Sequence, residues 1–120
     1  MIAPYGLLQL NENLANSELS RRMFASLDRL HKAGLMVDIC AYVPVHGDKA
    51  EGENVDDILE GLFTKYNMNI PEDFKGHSMS VSDLVLLKVD GAWRAYYTDT
   101  FGFADVTDEK PVKEFLTRFC

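Results

Sequence analysis

Hydrophobic and polar positions change their period along this chain, and each change marks an element. Leu84 to Val89 is almost uninterrupted apolar sequence, which predicts a central strand covered on both sides. Asp90-Gly91 follows as a type I′ hairpin signal, and Ala92 to Thr98 reads as the returning strand. Phe101 to Val106 predicts a further short strand, and residues 108–119 a final helix with Pro111 in its first turn. Upstream, Val55, Ile58, Leu59, Leu62, Phe63 and Tyr66 form one apolar stripe. That helix is capped by Asn54, carries Asp56 and Asp57 at its positive end, and ends near Asn67.

The first third of the chain is less uniform. Tyr5 to Leu10 is a short apolar run closed by Asn11-Glu12-Asn13, a first strand. Leu19, Met23, Leu27 and Leu30 recur at helical spacing over 17–33, with Asn16 or Ser17 as cap and Gly34 just past the end. The same residues also fit an irregular Arg22-Met23-Phe24 followed by a helix that starts at a Ser26 cap. Val37, Ile39, Ala41, Val43 and Val45 alternate with Asp38, Cys40 and Tyr42, which predicts a strand with one buried face. Pro44 has no N–H for a ladder, so that strand ends there or lies at a sheet edge. Residues 46–53 are expected to be a mobile loop. Together these elements predict one α+β domain over residues 1–120, with a mainly antiparallel sheet of four or five strands and two to three helices on one face.

Chemistry concentrates at two polar knots. His77, Ser78, Ser80, Ser82 and Asp83 precede the central strand, and Asp99, Thr100, Phe101 and Phe103 follow the returning one. Counting back from the Asp90-Gly91 turn sets Leu86 opposite Ala95, Leu84 opposite Tyr97 and Ser82 opposite Asp99, unless a bulge shifts the register by one. Opposed Cβ atoms lie roughly 5 Å apart, so Ser82 and Asp99 would be within hydrogen-bonding reach. A Ser/His/Asp set invites a hydrolase reading, with His77 as base, Ser80 or Ser82 as nucleophile and Asp99 as orienting carboxylate. No Gly-x-Ser-x-Gly elbow accompanies it. The plainer expectation is a hydrogen-bonded turn network, in which Ser80, Ser82 and Asp83 satisfy backbone groups entering the strand. His31 at a helix end needs only the dipole as its reason. His46 near Asp48 and Glu51 is a weak metal candidate, and no cluster has zinc spacing. Trp93, Tyr96, Tyr97, Phe101 and Phe103 could stack on bases but more simply pack as core, with both phenylalanines on one face around Gly102.

Composition narrows the classes. The chain has 120 residues, 47% hydrophobic and 26% charged, ordinary for a globular domain. Its net charge of −7 argues against direct nucleic-acid binding, which calls for a basic footprint. Two cysteines make no disulfide framework; Cys40 is expected to be a small buried thiol and Cys120 a frayed end. No secretory leader or membrane-length apolar run is present, so a cytoplasmic protein without a membrane role is expected. No cofactor and no metal are expected either.

The order Gly76-His77-Ser78-Met79-Ser80-Val81-Ser82-Asp83, an apolar strand, then Tyr97-Thr98-Asp99-Thr100-Phe101-Gly102-Phe103, resembles the YodL-like family of small bacterial domains. Arg22-Met23-Phe24, Leu27 to Gly34, Val37-Asp38, the Asp57-Ile58-Leu59 helix, Asn69 and Pro71 to Lys75 extend the resemblance over about residues 5–106. The family usually has Leu where Met79 stands and Ser where Thr100 stands. The resemblance implies kinship with domains of plasmids and conjugative transposons of Gram-positive bacteria. These occur alone or within large multidomain proteins that accompany DNA transfer and anti-restriction. It implies no particular chemistry. The expected function is therefore a non-catalytic accessory module that binds a protein partner through the motif end of the hairpin, with a DNA-mimicking anti-restriction inhibitor and a small Ser/His/Asp hydrolase as the alternatives.

Overall fold

A computed structural model describes residues 1–120. Five strands form one antiparallel sheet in the order β2-β1-β3-β4-β5. They are β1 (Ile2–Leu10), β2 (Tyr42–Glu51), β3 (Leu84–Val89), β4 (Ala92–Thr98) and β5 (Phe103–Asp105). The helices are α1 (Asn16–Arg22), α2 (Leu27–Lys32), α3 (Val55–Met68) and α4 (Lys110–Phe119), with a 3₁₀ turn at Ile39–Ala41. The α+β class and the antiparallel sheet agree with the sequence pattern.

The placement of the helices does not. Side-chain alternation along the strands divides the core in two. Leu8, Leu10, Leu84, Ala95 and Tyr97 pack with Leu30 of α2 and with Val112 and Leu116 of α4. Ala3, Tyr5, Leu7, Val85, Leu87 and Tyr96 pack with Ile58, Leu59, Leu62 and Tyr66 of α3. Helices therefore cover both faces rather than one. The apolar run of β3 requires this, because Leu84, Val85 and Leu87 are all fully buried and alternate between the two sides.

The β3–β4 register matches the count from the turn, with Leu84 opposite Tyr97 and Leu86 opposite Ala95. Asp90 and Gly91 both take positive φ, 51° and 81°, as a type I′ turn demands. Asn54 caps α3 by accepting from the Asp57 N–H at 2.8 Å. Pro111 lies in the first turn of α4.

Three expectations for the first half need correction. The helix over 17–33 is broken: α1 ends at Arg22, and α2 starts after Ser26, whose Oγ accepts from Arg29 N at 3.2 Å. The Ser26 cap of the alternative reading is thus the observed one, although Arg22 still closes α1 and only Met23 and Phe24 of its irregular stretch lie outside a helix. Asn16 and Ser17 lie inside α1, which no side chain caps. The alternating strand at 37–45 instead starts at Tyr42, because Asp38 Oδ1 accepts from Cys40 N at 3.0 Å and turns Ile39–Ala41 into a 3₁₀ helix. That turn leaves Cys40 exposed, not buried. Residues 46–51, expected to be loop, continue β2 along β1 as far as the Ile2–Glu51 pair. Their polarity reflects an edge strand. Pro44 and a bulge between the Leu7–His46 and Leu8–Pro44 pairs blunt that edge, as predicted for a strand with Pro in it.

Candidate functional site

The site begins with a bulge. Asp83 N donates to Ser80 O at 3.1 Å, closing a turn whose third residue, Ser82, has φ 83°. This is the type II position where Gly is normal. Ser82 N then donates to Thr98 O, and Thr98 N donates to Asp83 O, both at 2.9 Å. Two residues thus oppose Thr98, the arrangement of a G1 bulge with serine in the glycine place. The bulge shifts the register by one, so Ser82 does not bond Asp99, correcting the simple count.

Instead, the two knots grip a third segment. Ser82 Oγ accepts from Phe24 N at 3.1 Å. Tyr97 Oη donates to Ala25 O at 2.7 Å. Asp99 Oδ1 accepts from Leu27 N at 3.1 Å and from Thr100 N at 2.8 Å. The bend between α1 and α2 has no helical partners for these backbone groups, and the motif side chains supply them. Phe24 sits in the bend with φ 59°, so the two strained non-glycine residues outside the hairpin turn are bonded to each other. Tyr42 Oη donates to Ser82 O at 2.6 Å and locks the bulge from the other side.

A second network holds the His77 segment. Gln9 is buried near the C-terminal end of β1. Its Nε2 donates to His77 O at 2.8 Å and to Asp83 Oδ2 at 3.0 Å, and its Oε1 accepts from His77 N at 3.1 Å. Ser80 N also donates to Asp83 Oδ2, at 2.9 Å. A Cβ on Gly76 would stand 2.3 Å from Gln9 Oε1, so the close approach needs glycine. Asp83 is buried, and burial pushes its carboxyl from 3.8 up to about 6 against the opposing hydrogen bonds from Ser80 and Gln9 and the nearby His77. Gln9 escaped the sequence reading. The signal was present as the single polar residue within Leu7-Leu8-Gln9-Leu10.

The remaining motif residues divide by exposure. His77 Nδ1 donates to Ser78 O at 2.7 Å, and Ser80 Oγ donates to the same carbonyl at 2.9 Å. No hydrogen bond joins the His77 ring to Ser80 Oγ or Ser82 Oγ; the hydroxyl of Ser82 is buried and committed to Phe24. A Ser/His/Asp relay is therefore not assembled here. Thr100 and Phe101 occupy the tip of the turn closed by Asp99 N donating to Gly102 O at 3.0 Å. Phe103 packs half-buried against the α3 side, whereas Phe101 is 94% exposed. The expected shared packing of the two rings is thus corrected, because the turn throws Phe101 clear of the sheet. Phe24 is 57% exposed, and the His77 ring meets it edge-on at 6.4 Å.

The other histidines have structural partners. His31 pairs with Glu109, whose second oxygen accepts from Val37 N at 3.1 Å. His46 bonds Tyr66 and Asp73 rather than Asp48 or Glu51, and no group of three potential metal ligands converges anywhere in the chain. The largest cavity, about 1000 Å³, lies between α4 and the 3₁₀ turn and is lined by none of the motif residues. A hollow of about 550 Å³ opens beside His77, between Gly76, Gln9 and Val43.

Fold and site together define a small α+β domain in which a polar motif clamps an irregular bend and leaves aromatic rings outside. The sequence model of the YodL-like domain matches residues 5–108, and the chain belongs to the YodL-like family. No curated protein and no solved structure matches it. No helix is long and apolar enough to cross a membrane.

Proposed function

We propose that this domain is a non-catalytic protein-interaction module, and that its partner docks on the end of the sheet where Phe24, His77 and Phe101 are exposed. One observation carries the reading. Buried Ser82 of the first knot holds Phe24 N at a strained positive φ and Asp99 of the second holds Leu27 N just beyond it, yet the Phe24 ring is left outside the core. Strain of this kind persists only where surrounding contacts over-determine it, and it clusters at ligand clamps. Phe101, at a turn tip two residues after Asp99, adds a second unburied ring, and aromatic anchors of this sort dominate binding energy at interfaces. The net charge of −7 favours a partner with a basic surface, which it would attract from a distance. Kinship with domains of conjugative elements supports a partner encoded by such an element or its host. The DNA-mimic alternative calls for an elongated acidic face, and a body of 38 × 30 × 26 Å does not favour it.

The test uses wild type and a Phe24→Ala/Phe101→Ala double variant, both first shown to be folded, as baits in a nuclease-treated Gram-positive lysate. The expected result is a basic-surfaced protein retained by wild type alone, released by salt, and binding the purified domain directly. Equal retention by both baits, or none by either, overturns the reading.

A further inference from the structure

On the α3 side of the sheet, five side chains form an unbroken line. Lys65 Nζ lies 3.4 Å from Tyr5 Oη, and Tyr5 Oη lies 2.7 Å from Tyr66 Oη. Tyr66 Oη is 2.5 Å from His46 Nδ1, and His46 Nε2 is 3.2 Å from both carboxylate oxygens of Asp73. The line starts on α3, passes through β1, returns to α3, crosses to β2 and leaves through the segment after α3.

Its two ends set its polarity. An ammonium has no lone pair and can only donate, whereas an ionised carboxylate can only accept. Each phenol accepts one hydrogen and donates one. A neutral imidazole does the same, accepting at Nδ1 and donating from Nε2. All four bonds are satisfied together only if every hydrogen points from Lys65 towards Asp73. Tyr66 cannot escape this role by ionising. It is fully buried, and burial, then its hydrogen bond with Tyr5, push its phenol far above the ordinary tyrosine range.

The geometry points to a proton-driven switch: a proton taken up at His46 Nδ1 reverses the hydrogen bonds through Tyr66 and Tyr5 and releases Lys65 from the far end. With Nδ1 protonated, His46 donates to Tyr66 Oη. The Tyr66 hydrogen must then turn to Tyr5 Oη, and the Tyr5 hydrogen must turn to the end where the Lys65 ammonium offers no acceptor. Lys65 leaves the hydroxyl for the adjoining cavity of about 200 Å³, where Glu51 is a carboxylate partner. The proton enters from solvent through the imidazole, whose side chain is 11% exposed, and it stays there. The two phenol hydrogens only rotate about their C–O bonds. The groups facing His46 are Asp73 and the edge of Phe74 from the segment after α3 and Tyr66 from α3, with Tyr5 of β1 and Lys65 of α3 one and two bonds further along the line. Asp48 on its own strand, paired with Tyr5, acts on Tyr66 as well. The motif side chains take no part, so the switch stands independently of the interaction surface.

Residue-assigned NMR of the isotopically labelled full chain tests this through a pH titration. In wild type, the Tyr5 ring and Lys65 side-chain resonances are expected to shift with the midpoint of the His46 ring, and neutral His46 to be the Nε2–H tautomer. In Tyr66→Phe, His46 should still titrate while the Tyr5 and Lys65 signals lose that transition. Tyr5→Phe, a second interruption, should keep the Tyr66 response and remove that of Lys65. Amide spectra report whether each variant is folded, and wild type alone can overturn the proposal. It fails if Tyr5 and Lys65 stay flat through the His46 transition, or if their response survives in Tyr66→Phe.

Discussion

Two pairs of buried tyrosines lie on opposite faces of the sheet and use their hydroxyls differently. Tyr42 and Tyr97 each donate to a main-chain carbonyl, Ser82 O and Ala25 O. Tyr5 and Tyr66 bond to each other, and their line ends on side chains that can carry charge. A carbonyl can only accept, so the first pair has one arrangement and clamps the chain. A phenol between two titratable ends can be run in either direction, so the second pair can respond to a proton. The chemistry of the hydroxyl is the same. What terminates it decides whether a buried network is a lock or a switch.

The largest break is expected at Gln9, which shares a strand with Tyr5 but ties down the motif segment. Gln9→Ala strands His77 backbone groups and leaves the buried Asp83 with Ser80 N alone, and should lower unfolding free energy by about 3 kcal/mol in urea titrations. The contribution of Asp83 comes next. Its folded pKa, about 6, lies above the ordinary 3.8, so between those values the folded state holds more protons than the unfolded one. The stability it contributes is complete below pH 3.8 and is lost as pH rises through 6. Asp83→Asn keeps an oxygen for Gln9 and Ser80, and relative to wild type it should gain on the order of 2 kcal/mol between pH 4 and pH 7. A difference that does not change with pH would show that Asp83 titrates normally.

Lock and switch can then be compared directly. Tyr97→Phe strands the Ala25 carbonyl and should cost about 2 kcal/mol by thermal unfolding. Tyr66→Phe should cost about 1 kcal/mol because both of its partners find water, His46 at the surface and Tyr5 from the hollow it lines beside Lys65. Equal losses would erase the distinction. Phe24→Gly should raise stability by up to about 1 kcal/mol, since glycine takes φ 59° without strain and an exposed ring forfeits little. The smallest effect is that of Phe101→Ala, within about 0.5 kcal/mol, as nothing packs on a ring that is 94% exposed.

Much of this molecule could be read from its residues, and the parts that could are local. The Asn54 cap, the stripe of α3, the apolar run of β3 and the Asp90-Gly91 turn each act within a few positions, and their elements formed as expected. The position of the motif beside the hairpin was also legible, because register counted from a tight turn holds until a bulge interrupts it. Only the tertiary structure decided what the motif residues do. Ser82 meets Phe24 across 58 residues, Asp99 meets Leu27 across 72, Gln9 meets Asp83 across 74, and Tyr5 meets Tyr66 across 61. Such pairings depend on which strands become neighbours and on where a bulge turns a side chain. Periodicity carries neither, because it reports the face a residue takes and not the residue that will come to lie opposite.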